Sequence, residues 1–210
     1  MSLRSPTFRV RVFGPYACFT RPELKTERVS YEVMTPSAAR GVLEAILWKP
    51  AIRWVIERIH VLAPIRFTAV RRNEVNSKLS PRGDVGNYFA DQDRAQRNTI
   101  LLTDVDYVIE AHFEMTERAG SEDNVLKFED MFTRRLAKGQ AFHAPYLGCR
   151  EFAARFEPAP DEWHVPDELR ERRELGVMLL DLDFGPAANS RPSPRFFEAI
   201  LDQGTVEVPR

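Results

Sequence analysis

The sequence predicts an α+β protein, with a ferredoxin-like domain over residues 1–145 and a small C-terminal antiparallel β subdomain over residues 146–210. Three observations predict this fold. The first part follows the order strand, helix, strand, strand, helix, with one extended arm inserted. The second part changes to short strand patterns separated by polar, proline-containing stretches. With 43% hydrophobic residues and 14 Phe in 210 residues, the chain has enough apolar surface for a core.

The first strand is predicted over residues 8–13, where apolar and basic residues alternate. A period of two places the apolar side chains on one face and Arg9 and Arg11 on the other. A Gly-Pro pair at residues 14–15 ends this strand. Residues 26–34 alternate again, which indicates a second strand or an extended arm.

The first helix is predicted to begin at Thr35 as N-cap, with Pro36 at the first helical position, where its missing N–H costs no hydrogen bond. Apolar residues follow from Ala39 to Leu47 at spacings of three and four, which indicates one buried face. Lys-Pro at residues 49–50 ends the helix.

Two strands, a loop and a long strand are predicted next, over residues 52–62, 65–72, 76–97 and 99–113. The loop has no period and is polar throughout, and a loop of this length is usually functional or mobile. The long strand is apolar at alternate positions. Its expected core residues are Leu101, Val105, Tyr107 and Ile109.

The second helix is predicted over residues 121–138. Ser121 is the expected N-cap, and acidic residues occupy the expected first turn. Three basic residues, Arg134, Arg135 and Lys138, lie near its C-terminus and complement the helix dipole before Gly139 ends the helix.

The C-terminal part is predicted to be a small β subdomain. CREFAARF and GVMLLDLDF are interpreted as short strands on either side of an acidic connection over residues 157–174. Residues 185–195 are interpreted as a loop. The tail FFEAILDQGTVEVP is interpreted as a helical turn followed by a last short strand.

The composition argues against export and against insertion into a membrane. No window approaches the roughly 18 uninterrupted apolar residues that a membrane span requires, and the N-terminus alternates Arg with apolar residues. We therefore expect a cytoplasmic protein without membrane contact. The two cysteines, Cys18 and Cys149, lie far apart in dissimilar contexts, which fits a reducing compartment, and we interpret both as small core residues.

Familiar catalytic motifs are missing from the sequence. It contains no phosphate-loop, dinucleotide-binding, hydrolase or zinc motif. The four histidines are scattered without ligand spacing. The sequence therefore predicts neither a cofactor nor a metal site.

The net charge of −1 hides an uneven distribution along the chain. Residues 1–82 hold 15 Lys or Arg against 6 Asp or Glu, whereas residues 83–210 hold 15 against 25. Such a separation predicts a polyanion-binding face and an acidic face on one protein. The alternative is ordinary solvated surface charge, and composition alone leaves both open.

Basic residues interleaved with aromatic ones are typical of single-stranded RNA binding, in which guanidinium groups contact phosphates and aromatic rings stack on bases. The candidate nucleic-acid-binding residues are Arg9, Arg11, Arg21, Lys25, Arg66, Arg71, Arg72, Arg134 and Arg135. The alternative is that the aromatic residues are core and the arginines solvated. We prefer it for Phe8, Phe13 and Phe67, whereas we expect the arginine rows to bind and to form one continuous cationic surface.

His143 is a candidate catalytic residue. It lies in a stretch, residues 140–152, that is dense in side chains able to act as acids, bases or phosphate ligands. A histidine in such a loop is more often structural, but loops carry a disproportionate share of function. The residue is therefore worth testing.

Two long runs carry a resemblance to a known family. FGPYACFTRPELKTERVSYEVMTPSAARGVLEAILWKPAIRWVIERIHVLAPIRF occupies residues 13–67, and YLGCREF occupies residues 146–152. Over essentially its whole length the chain resembles the subtype I-C member of the fifth CRISPR-associated family, within the RAMP superfamily. The resemblance implies an RRM-type, ferredoxin-like N-terminal domain with a smaller C-terminal antiparallel sheet.

The same resemblance implies an activity and partners. Members are metal-independent endoribonucleases that cut the repeat hairpin of the precursor CRISPR transcript by attack of a ribose 2′-OH on the adjacent phosphate. The product is expected to stay bound in the type I-C surveillance complex, Cascade, beside its backbone and large subunits.

This chemistry needs a base for the hydroxyl, an acid for the leaving oxygen and a cation for the charge that builds on phosphate. In the family, a Tyr just before WKP and a Lys-His pair at the start of the second long helix resemble such a set. The corresponding residues here are Leu47, Lys127 and Phe128. Only Lys127 keeps the required chemistry, because neither Leu nor Phe transfers a proton. The candidate substitutes are His143, Tyr146 and Tyr31.

Three hypotheses follow. The leading one is a crRNA-processing endoribonuclease that is also a subunit of the complex. The second is a scaffold protein that binds RNA without cleaving it. The third is a general nucleic-acid binder that also engages duplex DNA, for which the arginine rows suffice.

Overall fold

The computed structural model of the protein describes residues 3–24, 26–76, 89, 91–183 and 192–209, and it has an α+β fold, as predicted. Two α-helices accompany the strands: α1 (Pro36–Ile46) and α2 (Val125–Ala137). The strands are β1 (Phe8–Ala17), β2 (Arg28–Val29), β3 (Ile52–Val61), β4 (Phe67–Val75), β5 (Arg94–Met115), β6 (Arg155–Pro158), β7 (Arg173–Asp183), β8 (Ser193–Asp202) and β9 (Thr205–Glu207).

The nine strands of the described residues form one sheet. Seven of them follow the order β6-β1-β5-β3-β9-β8-β7 with every neighbouring pair antiparallel, and β2 and β4 both pair with β5, β2 in parallel. β5 is the longest strand, with 22 residues. Its C-terminal half pairs with β1 and β3. Its N-terminal half pairs with β4, from Phe67 opposite Leu102 to Val75 opposite Arg94. We call this ribbon, residues 67–75 and 94–102, the β4–β5 arm.

The main core contains both helices and the inner face of the central strands. Its centre is aromatic: Phe8 lies 4.8 Å from Phe132 and 5.8 Å from Trp54, measured between ring centroids. Phe128 meets Phe113 edge to face at 6.4 Å. The predicted core residues of β5 are all buried. The alternation of residues 99–113 therefore identified this strand correctly.

The start of α1 is as predicted, whereas the start of α2 is not. Thr35 caps α1 by accepting a hydrogen bond from the Ala38 N–H at 3.3 Å. In α2 the N-cap is Asn124 rather than Ser121, and its side chain accepts from the Lys127 N–H at 2.9 Å. The acidic residues lie before the helix, because Asp123 closes a turn by accepting from the Gly120 N–H.

The other corrections concern irregular segments and the C-terminal tail. The predicted second strand shortens to two residues, and CREFAARF forms strand only from Arg155. The tail forms the hairpin β8–β9 rather than a helical turn, because Gln203 and Gly204 both take positive φ, the geometry of a tight hairpin turn. The last residues of both predicted loops, 76–97 and 185–195, belong to strands, because β5 begins at Arg94 and β8 at Ser193. Residues 77–88, 90 and 184–191 lie outside the described residues.

The division of the chain at residues 145–146 stays a prediction. Strands from both sides of it share one sheet, since β6 pairs with β1 and β9 pairs with β3.

In the described part of the chain, neither α1 nor α2 is long and apolar enough to cross a membrane. The cytoplasmic location stays a prediction.

Candidate nucleic-acid interface and catalytic site

Ion pairs between the two parts of the chain neutralise several of the arginines expected to bind nucleic acid. Arg9 contacts Glu110 at 2.9 Å, and Arg11 contacts Asp106 at 2.6 Å and Glu157 at 2.8 Å. These acids come from the acidic second part, and the pairing of β1 with β5 and β6 brings them beside the arginines. The expected continuous cationic surface is therefore wrong for the open face of the central sheet.

The same pairing across the chain recurs elsewhere. Further pairs of this kind are Arg28–Glu151, Arg40–Asp181, Arg53–Glu114, Arg58–Glu110, Arg58–Glu207 and Arg72–Glu151. Charge that is segregated along the sequence is thus mixed in space.

One face of the β4–β5 arm keeps its positive charge. We call it the arm face: it consists of Phe67, Ala69, Arg71, Asn73 and Val75 from β4 and Arg94, Gln96, Asn98 and Ile100 from β5. All nine residues are exposed, and none of them is acidic. Amides, two guanidinium groups and apolar side chains therefore form a surface suited to phosphates and unstacked bases.

The arginines of the arm face are available for binding. Arg71 has no carboxylate partner among the described residues, and Arg94 donates only to the backbone oxygen of Asp91, at 3.1 Å. Arg66, just before β4, is likewise exposed and without an ion pair in the described part of the chain. Of the predicted binding residues, Arg66 and Arg71 are thus exposed and without a carboxylate partner among the described residues.

The opposite face of the arm is an ion-pair cluster. Glu74 lies between Arg72 at 3.0 Å, Arg28 at 3.5 Å and Arg97 at 3.6 Å. Glu151, from the YLGCREF run, contacts Arg72 at 2.6 Å. We call these residues, Arg28, Arg72, Glu74, Arg97 and Glu151, the arm-base cluster. Arg72 is therefore held by carboxylates, unlike Arg71 beside it.

A second exposed surface surrounds the C-terminal end of α1. We call it the helix-end surface: Trp48 and Lys49 after α1, Asp123 and Lys127 at the start of α2, and Phe142 and His143 after α2. The Phe142 N–H donates to the Ala45 carbonyl at 2.8 Å, which attaches the His143 loop to α1. Trp48 and Phe142 are 59% and 82% exposed, which is unusual for aromatic rings.

Lys127 is exposed and paired with a carboxylate. Its Nζ contacts Asp123 Oδ1 at 2.9 Å and also lies over the Phe128 ring, 5.6 Å from the centroid. The pKa of Asp123 is lowered, chiefly by the hydrogen bond from Lys127 and to a smaller extent by the nearby charge of Lys49. Two ammonium groups therefore lie near one half-buried carboxylate, where an incoming phosphate would compete for them.

Leu47 and Phe128 are both core residues. Leu47 is fully buried as the C-cap of α1, and Phe128 is 2% exposed against Phe113. Apolar packing thus occupies both positions at which the resembled family has proton-transfer side chains.

The candidate substitutes lie in three different surroundings. His143 is exposed, and its Nδ1 lies 3.3 Å from the Ala144 oxygen. Tyr146 is half-buried in a bridge with Ala153. Tyr31 is buried under the Arg21 guanidinium, 4.6 Å from the ring centroid, and burial and Glu23 raise its phenol pKa. Of these three residues, only His143 follows a residue that is hydrogen-bonded to the C-terminal end of α1, through the Phe142 N–H and the Ala45 carbonyl.

The remaining predicted binding residues are dispersed. Arg134 is exposed without an ion pair in the described ranges, whereas Arg135 donates to the Ile46 carbonyl at 2.6 Å and so caps α1. Arg21 stacks on Tyr31 and lies 4.0 Å from Glu23. Lys25 lies outside the described residues.

The structure adds residues that the sequence reasoning missed. Arg94 and Gln96 were assigned to a loop and Asn98 to no element, yet the three alternate with half-buried Ala95 and Arg97 in β5. A period of two in RAQRNTI was the available signal, and it was hidden because the buried and half-buried positions hold Ala95, Arg97 and Thr99 rather than large apolar residues.

The residues that the structure describes contain no group of three or more His, Cys, Asp or Glu side chains that could hold a metal ion.

Comparison with known proteins gives a consistent result. Residues 7–209 match the family model Cas_Cas5d, described as CRISPR-associated protein (Cas_Cas5). The chain is 48% identical to the Mannheimia succiniciproducens protein named CRISPR pre-crRNA endoribonuclease Cas5d, an alignment that covers 96% of this chain and 94% of the relative. It is 44% identical to the Thermus thermophilus protein of the same name, over 96% of this chain and 90% of the relative.

Among solved structures, the chain superimposes on one described as the crystal structure of a CRISPR-associated protein. The TM-score is 0.74 at 22% identity, and the match covers 100% of this chain and 95% of the other. At this identity the likeness supports the fold alone.

Proposed function

Because the chain belongs to the CRISPR-associated Cas5 family, we propose that it is an endoribonuclease that binds and cleaves the repeat hairpin of precursor crRNA. The observation that carries the proposal is the 48% identity, over nearly the whole of both chains, to a protein named pre-crRNA endoribonuclease.

The ferredoxin-like part of the proposal is supported by strand order. Without β2 and β4, the chain up to β6 runs β1, α1, β3, β5, α2, β6, and these four strands lie in the sheet as β6-β1-β5-β3. A βαββαβ unit in which the fourth strand lies beside the first, and the third between the first and the second, is the ferredoxin-like arrangement. RRM domains use a four-stranded sheet of this kind to bind RNA.

We assign RNA binding to the arm face and Arg66. A repeat hairpin offers closely spaced phosphates along its stem and unstacked bases at its ends. Arg71 and Arg94 provide charge for the phosphates, while Phe67 and Ile100 provide apolar contact. The open face of the central sheet is a weaker candidate, because its arginines are already paired with carboxylates.

Cleavage is assigned to the helix-end surface. Lys127 is suited to stabilise the negative charge that develops on phosphate when the 2′-OH attacks, since its ammonium group is exposed beside a single carboxylate. His143 is the proposed proton-transfer group, because its loop is attached to α1 next to Trp48 and Lys49. The mechanism is proposed to proceed without a metal ion.

The test is an incubation of the purified chain with its cognate repeat RNA in EDTA. We expect shortened RNA that ends in a 2′,3′-cyclic phosphate, which attack by the 2′-OH leaves behind. Cleavage that requires added Mg²⁺ would contradict the metal-independent mechanism, and intact RNA at high enzyme concentration would contradict the nuclease.

A second candidate is an RNA-binding scaffold subunit that does not cleave. The observation that favours it is the burial of Leu47 and Phe128 at the positions of the family Tyr and His. Intact RNA in EDTA together with tight binding would support this candidate.

The proposed partners are those of the type I-C surveillance complex, with its backbone and large subunits, in the cytoplasm. Binding of duplex DNA by the arm face is a further candidate property. Salt-dependent binding of unrelated duplex, with an affinity close to that for repeat RNA, would support it.

A further inference from the structure

The two cysteines, 131 positions apart in sequence, lie side by side at the base of the β4–β5 arm. Cys18 follows β1, and Cys149 belongs to the YLGCREF run, whose Leu147 carbonyl accepts from the Cys18 N–H at 3.0 Å. The Cys149 Sγ lies 3.5 Å from the Cys18 carbonyl oxygen. The hydroxyl of Thr20 lies between the sulfur atoms, 3.6 Å from Cys18 Sγ and 3.8 Å from Cys149 Sγ.

Gly148 makes this close approach possible. Its φ is +83°, and a Cβ at this position would lie 2.1 Å from the Cys18 carbonyl oxygen. Any other residue would both strain the backbone and push the loop away from β1. The contact between the two cysteines is therefore built into the local backbone.

A guanidinium group faces one of the two sulfurs. Arg28 Nη1 donates to Cys149 Sγ at 3.4 Å. The same Arg28 contacts Glu74 at 3.5 Å and Glu151 at 3.7 Å in the arm-base cluster, where Arg72 and Arg97 provide further positive charge. Cys149 is half-buried, whereas Cys18 is fully buried, so only Cys149 is open to small reagents.

The geometry points to Cys149 as a reactive thiolate that peroxides and other small electrophiles modify, with Cys18 as the partner that resolves the oxidised form into a disulfide. Reactive cysteines lie beside basic groups at partly exposed positions, as Cys149 does. Hydrogen bonding with Cys18 lowers the pKa of Cys149 to about 6, with smaller contributions from Thr20 and Arg28, although burial acts in the opposite direction. The pKa of Cys18 is raised by its hydrogen bond with Cys149 and by burial.

The chemistry balances with hydrogen peroxide as the oxidant. The Cys149 thiolate attacks one peroxide oxygen, the O–O bond breaks, and hydroxide leaves with the electron pair, which produces a sulfenic acid. The Cys18 sulfur then attacks the Cys149 sulfur, the S–O bond breaks, and water leaves after taking up the Cys18 proton. In total the two thiols lose two electrons and two protons, and one peroxide becomes two waters.

The first experiment maps the product. Reduced protein is freed of reductant, treated with hydrogen peroxide, blocked with iodoacetamide and digested without reduction for mass spectrometry. We expect a peptide containing Cys18 linked to one containing Cys149, which dithiothreitol separates. Recovery of both peptides as separate carbamidomethyl derivatives, or of Cys149–Cys149 dimers in place of the internal link, would overturn the proposal.

The second experiment measures reactivity before oxidation. The rate at which iodoacetamide modifies Cys149 is followed against pH, and we expect half of the maximal rate near pH 6. Arg28→Met should slow the reaction at pH 5 about tenfold, because below the pKa of Cys149 a rise of one pKa unit lowers the thiolate fraction by about that factor. Arg58→Met, an equal substitution away from the cysteines, is the control and should leave the rate unchanged.

Folding of each variant is checked by its thermal transition. A half-maximal rate near pH 8.5, the ordinary thiol value, would show that Cys149 is not activated and would overturn the assignment. In Cys18→Ser, peroxide should leave a sulfenic acid on Cys149 that dimedone traps, and the absence of this adduct would equally argue against it.

Discussion

Of the three positions that correspond to the family's Tyr, Lys and His, only Lys127 keeps the family's residue type in this chain. Its ammonium group is exposed and lies 2.9 Å from Asp123, so an RNA phosphate has to compete with one solvated carboxylate only. Leu47 and Phe128, by contrast, are buried and contribute packing. At the residue scale, the proposed cleavage therefore depends on one cation and on a proton-transfer group supplied from elsewhere.

We predict that Lys127→Ala lowers the single-turnover cleavage rate by about 10²-fold, the usual effect of removing one group that stabilises transition-state charge. The affinity for repeat RNA should fall much less, because the arm face is intact. Both are measured on the same RNA, the affinity by filter binding. Lys138→Ala, which changes an exposed lysine at the other end of α2, is the matched control. Equal losses of rate and affinity would show that Lys127 serves binding.

His143→Ala tests the proton-transfer group. If the imidazole acts as acid or base, the variant should lose about 10²-fold or more in rate, and it should also lose the part of the pH–rate profile that the imidazole causes. The profile is measured from pH 5 to 9 under single-turnover conditions. Full activity with an unchanged profile would remove His143 from the mechanism.

The two faces of the β4–β5 arm differ in whether their arginines are paired with carboxylates. They differ by one position in register: Arg71 is exposed and free of carboxylates among the described residues, while Arg72 is held by Glu74 and Glu151. Neighbouring arginines in the sequence therefore have different surroundings, and we propose a binding role for Arg71 and a structural one for Arg72. In the same way, one turn of α2 contains exposed Lys127 and buried Phe128.

We predict that Arg71→Ala combined with Arg94→Ala weakens RNA binding and flattens its salt dependence. If each guanidinium contacts one phosphate, the slope of log K against log salt should decrease by about 0.7 to 0.9 for each arginine removed. Titrations at several salt concentrations measure the slope. Arg53→Ala combined with Arg58→Ala, which removes paired arginines of β3, is the control. A larger effect in the control would assign binding to the open face of the sheet.

Packing of α2 is tested at Phe128. Phe128→Ala should lower the free energy of unfolding by about 3–5 kcal/mol, because it leaves a cavity beside Phe113. Leu126→Ala, at a position 71% exposed on the same helix, should change it by less than about 0.5 kcal/mol. Urea denaturation measures both. Similar values for the two variants would mean that α2 does not pack as described.

Across the whole molecule, ion pairs join the basic first part of the chain to the acidic second part. They follow the strand pairing of β1, β3 and β5, so that folding itself mixes charges that the sequence keeps apart. Glu114 illustrates the effect, and Glu57, a carboxylate of the first part, also has a lowered pKa. The hydrogen bond from Arg53 lowers the pKa of Glu114, and hydrogen bonds from His112 and Thr7 lower that of Glu57 in spite of its burial.

Acid should therefore destabilise the protein. The pKa values of Glu57 and Glu114 in the folded state lie below their ordinary value of 4.5, so both carboxylates favour the folded state above this pH. The contribution is lost as the pH falls from 4.5 through the folded-state pKa values. Thermal transitions at pH 7, 5, 4 and 3 measure the loss, and Glu114→Gln should reduce it. A midpoint temperature that is unchanged between pH 5 and 3 would contradict this account.

The sequence by itself determined the α+β class, the two helices, the buried face of β5 and the family. These features follow from local periodicity, from capping residues such as Thr35, and from long motifs such as YLGCREF, all of which are readable without knowing which residues meet. The one capping error, Ser121 in place of Asn124, arose because several residues in the preceding turn can act as caps.

Only the tertiary structure decided which charges are free and which cysteines meet. Whether Arg11 or Arg71 binds a phosphate depends on the carboxylates that strand pairing brings beside it from about a hundred residues away. Cys18 and Cys149 looked like unrelated core residues because Gly148 brings them together only in the folded chain. Long-range contacts of this kind leave no local period in a sequence, and they set the electrostatics on which binding and reactivity depend.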